Sequence, residues 1–369
     1  MTRKKILIVS ASFYPENSPR SFRTTELAKE LSRAGHDVTV LFPLRGNDYA
    51  AFEKVHHLKI EDLGALSWKE VKLKGGRLEF LFRRALRRLL QQLFEWPNIE
   101  LAFKVARALK HKRDYDLLIS VAVPYPIHWG VAKIRNDQHK IAGTWIADCG
   151  DPYMGDRTDS FRKIFYFKYL EKWFFRKADC ISIPFEGARS AYYPEFHNKI
   201  RIIPQGFRMD ELNLPPYQKA TDHPVFAYAG RFIPGKRDPE QLLNYLCSCQ
   251  RHFKFIVYTS QHDMLMDAKI SLGVKLDLRG VVPRETLLKE LAAMDFLVNF
   301  DNNTKGQLPS KLIDYAITGR PVLNVSACMD LKLISDFMDG NYEMRMELPP
   351  LDRYDIREVA ENFVRLHLT

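Results

Sequence analysis

The sequence has little that would span a membrane, form disulfides or bind a metal. No apolar run approaches the roughly 18 residues that a membrane-spanning helix requires. The five cysteines are an odd number scattered along the chain: Cys149, Cys180, Cys247, Cys249 and Cys328. Cys247 and Cys249 lack a matching second pair, so a zinc site is not expected and reduced thiols are predicted.

Several motifs of other protein classes are also missing. No G-x-G-x-x-G follows the first predicted strand, which argues against a dinucleotide-dependent oxidoreductase. No solenoid-length repeat is present. No recognised nucleic-acid module occurs, so no nucleic-acid partner is expected. The start of the chain, MTRKKILIVSASFYP, has a short apolar run and no small-residue cleavage site. It predicts a first strand rather than a signal peptide, and hence a cytoplasmic protein.

The composition predicts a two-domain globular protein. With 369 residues, 46% of them hydrophobic and 27% charged, the chain is too long for one ordinary core. Its formal net charge of +11 implies an acidic partner such as nucleic acid, an anionic membrane or a phosphorylated substrate. The position of the basic residues must decide among these classes.

Strands and helices alternate along the chain. Residues 5–9 and 37–42 read as strands and residues 26–34 as the helix between them, a βαβ unit that implies a parallel sheet. Further strands are predicted at 116–121, 143–147, 180–184 and 199–204. After a Pro-containing linker at 213–224, a second series of strands is predicted at 225–229, 253–258, 275–279, 296–300 and 321–325.

Residues 306–323, GQLPSKLIDYAITGRPVL, carry the clearest functional pattern. A loop ending in Pro309, Ser310 and Lys311 leads into a helix, and Asp314 lies one turn further on. Free N–H groups at the start of a helix bind anions, and a hydroxyl and an ammonium group can supplement them. The alternative is a capped helix that packs on a strand without any ligand.

This segment resembles the donor-binding loop of retaining nucleotide-sugar glycosyltransferases of family 4, which have the GT-B fold. The loop that follows the strand at 225–229 resembles the family's G-R-x-x-x-x-K signature, here Gly230, Arg231 and Lys236. In that family the Arg and Lys neutralise the donor diphosphate, so the resemblance implies metal-independent catalysis without a cofactor. Two surface cations are the alternative.

Two loops of the first half also resemble the family. The loop after the first strand matches the family's opening, but Asn17 and Ser18 stand where many relatives have two glycines. The segment 147–153, ADCGDPY, is similar to an ADxRDPW loop, with Gly150 in place of the usual Arg. The resemblance implies that Asp148 and Asp151 orient the acceptor or the transferred sugar, while turn formation is the alternative.

The resemblance assigns the remaining donor contacts. Asp314 matches the second of two acids that relatives carry in the donor loop, and the first falls at Gly306. Gln307 is therefore the candidate for the sugar hydroxyls, while Val282, in a segment resembling LxGxVP, would frame the nucleobase.

Residues 69–92 concentrate positive charge on a helix predicted to start near Leu78 and on the segment that precedes it. Leu78, Phe82 and Leu89 fall on one face, whereas a set of arginines falls on the other: Arg83, Arg84, Arg87 and Arg88. A basic amphipathic helix of this kind binds anionic membrane surfaces. An ordinary surface helix whose apolar face belongs to the core is the alternative.

Together these patterns predict an α/β protein of GT-B fold, with two Rossmann-like domains facing across a cleft. The N-terminal acceptor-binding domain is predicted at 1–210, with a helix at 350–369 packing back on it, and the donor-binding domain at 220–349. The expected activity is retaining sugar transfer from a nucleoside-diphosphate sugar to a lipid-linked oligosaccharide or polysaccharide, at the inner face of the cell membrane. A sugar-nucleotide epimerase of the same fold and a basic nucleic-acid-binding protein are the alternatives.

Overall fold

The computed structural model describes residues 2–16, 18–156, 162–235, 237–301, 310–326 and 329–367. The chain divides into two compact units. The N-terminal unit comprises Met1–Arg208 together with Arg353–Thr369, and the C-terminal unit comprises Met209–Asp352. The chain therefore leaves the N-terminal unit once and returns to it.

Within the described residues, seven parallel strands form the sheet of the N-terminal unit. They are β1 (Lys5–Val9), β2 (Asp37–Phe42), β3 (Lys59–Asp62), β4 (Tyr115–Ala122), β5 (Ala142–Cys149), β6 (Cys180–Ile183) and β7 (Ile200–Ile202). Their order is β3-β2-β1-β4-β5-β6-β7. In β1 the residues Ile6 and Leu7, which point to opposite faces, are both fully buried. A parallel sheet covered by helices on both faces requires such continuous apolar strands.

The same unit contains the helices α1 (Pro19–Arg33), α2 (Ala50–His56), α3 (Arg77–Phe94), α4 (Glu100–Leu109), α5 (Pro126–Ile134) and α6 (Phe167–Lys177). Helix α1 begins where its sequence provides a start signal. The Ser18 side chain accepts a hydrogen bond from the Ser21 N–H, and Pro19 occupies the first helical position. Both features satisfy or remove free N–H groups of the first turn.

The C-terminal unit repeats the arrangement on a smaller scale. Its described strands are β8 (Val225–Ala229), β9 (Lys254–Tyr258), β10 (Leu276–Arg279), β11 (Phe296–Phe300) and β12 (Val322–Val325), in the order β10-β9-β8-β11-β12 and all parallel. Its helices are α7 (Glu240–Ser248), α8 (Met266–Leu272), α9 (Arg284–Ala292), α10 (Ser310–Thr318) and α11 (Leu331–Met338). The strand order reverses between β8 and β11. Ligands of open α/β sheets bind beyond the carboxyl ends of the strands at such a reversal.

A last helix, α12 (Ile356–Arg365), returns to the N-terminal unit as predicted. Its apolar stripe is buried in one core cluster with residues of α1 and β1: Ile356, Val359 and Phe363 from α12, Leu27 and Leu31 from α1, and Ile6 and Ile8 from β1. Asp355 caps the helix by accepting a hydrogen bond from the Arg357 N–H. The helix thus completes a core that the first strand begins.

Candidate active site

A cavity of about 210 Å³ lies beyond the carboxyl ends of β8 and β9 in the C-terminal unit. Its walls come from the ends of these strands, from the segment before α9, from α9 itself and from the first turns of α10. Five residues that the sequence singled out for donor binding line it: Gly230, Arg231, Val282, Lys311 and Asp314. The fold therefore brings together residues that lie up to 84 positions apart in the printed sequence.

The turn after β8 requires a glycine. Gly230 has a φ of +147°, which side chains rarely permit, and a Cβ there would lie 3.1 Å from the Tyr228 hydroxyl. The same hydroxyl donates a hydrogen bond of 2.9 Å to the carbonyl of Arg231. The Tyr228 hydroxyl thus holds the backbone of this turn in place. Arg231 is exposed and lines the cavity.

Lys311 lies in the first turn of α10, and its ammonium group has no hydrogen-bond acceptor among the described residues. The Nζ atom lies 4.6 Å from the centroid of the Tyr228 ring. Burial lowers the pKa of Lys311 from 10.5 to about 7, and the nearby Arg237 adds to this effect. Burying an unpaired cation is costly, and an anion bound in this cavity would supply the partner that the ammonium group lacks.

Asp314 is the acidic residue of the cavity, and an arginine that the sequence reasoning missed holds it. Both Nε and Nη2 of Arg284, at 2.9 and 2.5 Å, donate hydrogen bonds to the same carboxylate oxygen, Oδ1. Burial raises the pKa of the Asp314 carboxyl, and the Arg284 guanidinium opposes this rise. Arg284 directly follows Val281-Val282-Pro283, and no periodic pattern indicated that its side chain would reach α10.

Tyr315 joins α10 to the sheet beneath the cavity. Its hydroxyl accepts a hydrogen bond of 3.0 Å from the Ala229 N–H and donates one of 3.1 Å to the Val298 carbonyl. These atoms belong to β8 and β11, the two strands at which the order reverses. The Tyr315 hydroxyl therefore fixes the position of the first turns of α10 relative to β8 and β11.

In the N-terminal unit, Asp148 lies at the carboxyl end of β5 and is buried. Arg23 donates to both of its oxygens at 2.9 Å, and the Ser182 hydroxyl donates at 2.7 Å. Burial alone would raise the pKa of Asp148, but the Arg23 guanidinium and Ser182 hold it below its ordinary value. Because Arg23 also binds the carbonyl of Ile203, this carboxylate joins α1, β5 and β6 to the chain after β7. Such contacts favour a structural contribution, and a direct role in catalysis stays a prediction.

Asp151 lies nearby and is exposed. It forms an ion pair of 2.8 Å with Arg20 of α1. Gly150 makes this pair possible, because a Cβ at that position would lie 1.7 Å from Arg20 Nη1. The absence of a side chain at 150, where the resembling loops have an arginine, thus leaves space for a guanidinium that comes from α1 instead.

A sequence model of the glycosyl transferase 4-like domain matches residues 21–206. The chain belongs to this family. No curated protein sequence matches the glycosyltransferase.

Solved structures with the same fold align with almost the whole chain of the glycosyltransferase, beyond the residues that the family model matches. A glycosyltransferase from Rickettsia africae covers 100% of this chain and is itself 94% covered, with a TM-score of 0.60 at 11% identity. HepE from Anabaena in complex with UDP-glucose has a TM-score of 0.59 at 12% identity, with 98% of this chain and 99% of HepE covered. The lipopolysaccharide outer core galactosyltransferase WaaB has a TM-score of 0.58 at 13% sequence identity, with 99% of each chain covered. At these identities the likeness shows the fold, which is the predicted GT-B fold.

Some residues assigned from the sequence lie outside the described part of the glycosyltransferase: Asn17, Lys236, Gln307 and Pro309. Ser310 begins α10 as predicted by the motif, and Ser18 caps α1. Among the residues that the structure describes, no group of three or more His, Cys, Asp or Glu side chains could hold a metal ion.

The basic helix predicted around residue 78 is α3 of the glycosyltransferase, and none of its residues is buried. Its apolar residues Leu78, Phe82 and Leu89 are 84%, 68% and 54% exposed. Arg83 pairs with Glu79 at 2.7 Å and Arg87 with Glu70 at 2.5 Å, while Arg84 is exposed. The apolar face of α3 therefore does not belong to the core of the N-terminal unit.

Proposed function

We propose that this glycosyltransferase transfers a sugar, with retention of configuration, from a nucleoside-diphosphate sugar to a lipid-linked oligosaccharide or polysaccharide in cell-surface glycan synthesis. The observation that carries the donor assignment is the unpaired ammonium group of Lys311 in the cavity beside Arg231. Two cations and a carboxylate around one cavity suit a diphosphate attached to a hydroxyl-bearing sugar. The complex of HepE with UDP-glucose supports this ligand class.

The expected chemistry uses fixed cations. During transfer, the bond between the anomeric carbon and the β-phosphate oxygen breaks, and the anomeric carbon bonds to the acceptor oxygen. The acceptor proton passes to the leaving phosphate, which carries the bonding electrons as negative charge. Arg231 and Lys311 line the cavity in which this charge would develop. Preorganised cations stabilise such a transition state in the manner of an oxyanion hole, without a metal.

A panel of UDP-, GDP-, ADP- and dTDP-linked sugars tests the donor assignment by thermal shift. The correct donor at about 100 times its Kd should stabilise the protein by roughly 2.7 kcal/mol. Arg231→Ala should reduce transfer by about 100- to 1,000-fold, the usual loss for one transition-state donor, with an unchanged melting temperature of the free protein. Near-normal turnover of this folded variant, or no binding by any of the four donor classes, would contradict the proposal.

Helix α3 supports a peripheral position at the inner face of the cell membrane. Exposed Leu78, Phe82 and Leu89 form an apolar stripe, and basic residues precede and flank it: Lys69, Lys72, Lys74, Arg77, Arg84 and Arg88. Such a stripe inserts at the level of the lipid head groups, and each nearby cation contributes about 1 kcal/mol at an anionic surface. A lipid-linked acceptor would be reached from this position. No helix among the described residues is long and apolar enough to cross a bilayer.

A further inference from the structure

The Asp314 carboxylate in the C-terminal cavity is held in an asymmetric way. Arg284 Nε and Nη2 both donate to Oδ1, at 2.9 and 2.5 Å. Within the described residues, the hydrogen bonds of the Asp314 carboxylate both go to Oδ1 and none goes to Oδ2, and Asp314 lines the cavity. An arginine that pairs with a carboxylate through two parallel bonds normally occupies both oxygens. Here one oxygen stays available to a ligand.

The position of Arg284 in the fold connects two walls of the cavity. It is the first residue of α9 and follows Val282, which lines the same cavity as Asp314. Its guanidinium crosses from α9 to α10, and the two side chains are 30% and 21% exposed. The Arg284–Asp314 pair is therefore partly shielded from water, so the geometry of its hydrogen bonds affects its energy. A ligand in the cavity can still reach the carboxylate.

The guanidinium also opposes protonation of the Asp314 carboxyl. Burial raises the pKa of Asp314, and Arg284 is the group that opposes this effect. Without Arg284 the buried carboxyl would hold a proton more readily, and a protonated carboxyl donates a hydrogen bond where a hydroxyl ligand needs an acceptor. Arg231, Lys311, Tyr258 and Tyr315 are the other charged or titratable groups that line this cavity.

We propose that Arg284 is a positioning residue of the donor site: it holds Asp314 through Oδ1 so that Oδ2 accepts a hydrogen bond from a ribose hydroxyl of the bound nucleotide. This inference rests on the proposed function, because it requires a nucleoside diphosphate in the cavity. It assigns Arg284 no contact with the phosphates. The cations Arg231 and Lys311, which line the same cavity, would bind the phosphates.

Binding measurements with two probes test this role. The first probe is whichever of UDP, GDP and ADP binds the wild-type protein, together with its 2′,3′-dideoxy analogue. The second is inorganic pyrophosphate, which has no ribose. Arg284→Gln should weaken nucleoside-diphosphate binding about tenfold and leave pyrophosphate binding unchanged, because the lost interaction is a charge-assisted hydrogen bond to the ribose. Arg284→Lys should recover part of the loss.

Asp314→Asn and the double variant complete the test. If Arg284 acts through Asp314, the double variant should bind no more weakly than Asp314→Asn alone, since coupled residues are not additive. Each single variant should also lose the preference for the nucleotide over its dideoxy analogue. Equal weakening of pyrophosphate binding by Arg284→Gln, or additive losses in the double variant, would overturn the proposal. Failure of every nucleotide to bind the wild type would instead refute the proposed function.

Discussion

Lys311 should reduce the stability of the ligand-free protein, and replacing it should therefore stabilise the C-terminal unit. A lysine whose pKa falls from 10.5 to about 7 on folding costs roughly 5 kcal/mol at about 1.4 kcal/mol per pKa unit. The cost applies in full below pH 7, where Lys311 is charged in the folded and the unfolded chain alike. Lys311→Met removes the charge and keeps a chain of similar length in the apolar surroundings.

The gain in the free energy of unfolding from Lys311→Met should become smaller as the pH rises above 7. Above pH 7 the folded protein holds Lys311 neutral, so the cost falls as the pH approaches 10.5, the unfolded value. At pH 9 about 2 kcal/mol of it is left. Lys311→Met should thus raise the free energy of unfolding by a few kcal/mol at pH 6 and by clearly less at pH 9. The same variant should lose nucleotide binding, because the anion then lacks its buried partner.

The assay must report on the C-terminal unit alone. All five tryptophans lie in the N-terminal unit, so tryptophan fluorescence during urea unfolding should be unaffected by the change and provides an internal control. Hydrogen exchange of peptides from β8 and β11 reports the C-terminal unit. Arg231→Met is the matched variant: Arg231 is exposed at the same cavity, so its replacement should weaken binding without stabilising the protein. Equal gains at pH 6 and pH 9, or destabilisation by Lys311→Met, would refute the reasoning.

Two further predictions concern the N-terminal unit. Gly150→Ala should displace the Arg20 guanidinium and break its pair with Asp151, an exposed contact of about 0.2–1 kcal/mol. Thermal unfolding should show the same small loss for Gly150→Ala as for Arg20→Ala, and an additive double variant would contradict the shared cause. For α3, cosedimentation with anionic liposomes should weaken steeply with rising salt, because surface charges are screened over about 10 Å at 0.1 M. Binding should be mostly lost when glutamine replaces the arginines of α3 (Arg83, Arg84, Arg87 and Arg88), but it should persist when glutamine replaces four exposed cations elsewhere in the unit (Lys54, Lys110, Arg113 and Lys140). Unchanged sedimentation of the α3 variant would show that its charge has another function.

The sequence predicted most strands of both sheets because each is a short apolar run between turn signals. Residues 5–9, 37–42, 225–229 and 296–300 are strands with the predicted bounds. The strand β3 was missed because Lys59–Asp62, KIED, has neither an apolar run nor a clear alternation. Helix α1 starts seven residues before the predicted 26–34, since its first turns are defined by a serine cap and a proline rather than by apolar spacing.

The cavity that several residues assigned to the donor line together could be predicted, because these residues follow strands or begin a helix. Parallel strands place such residues at one edge of a sheet, so Arg231 and Lys311 were expected to meet. Arg284 could not be found in this way, because its contact with Asp314 depends on how α9 packs beside α10. The exposure of the apolar face of α3 was equally undecidable, since an amphipathic pattern is the same for a core helix and for one that faces a membrane.

The return of α12 to the N-terminal unit has a consequence for how this protein is made. The core around β1 includes Val359 and Phe363, so it stays incomplete until residues past 360 have been synthesised. The C-terminal unit, Met209–Asp352, is continuous in sequence, and its described strands end with β12 at Val325, before α12 begins. Since domains tend to fold as they leave the ribosome, the second unit should be the first to finish. The apolar groove that receives α12 is then the surface that a nascent chain exposes longest, and the place where chaperones would bind it.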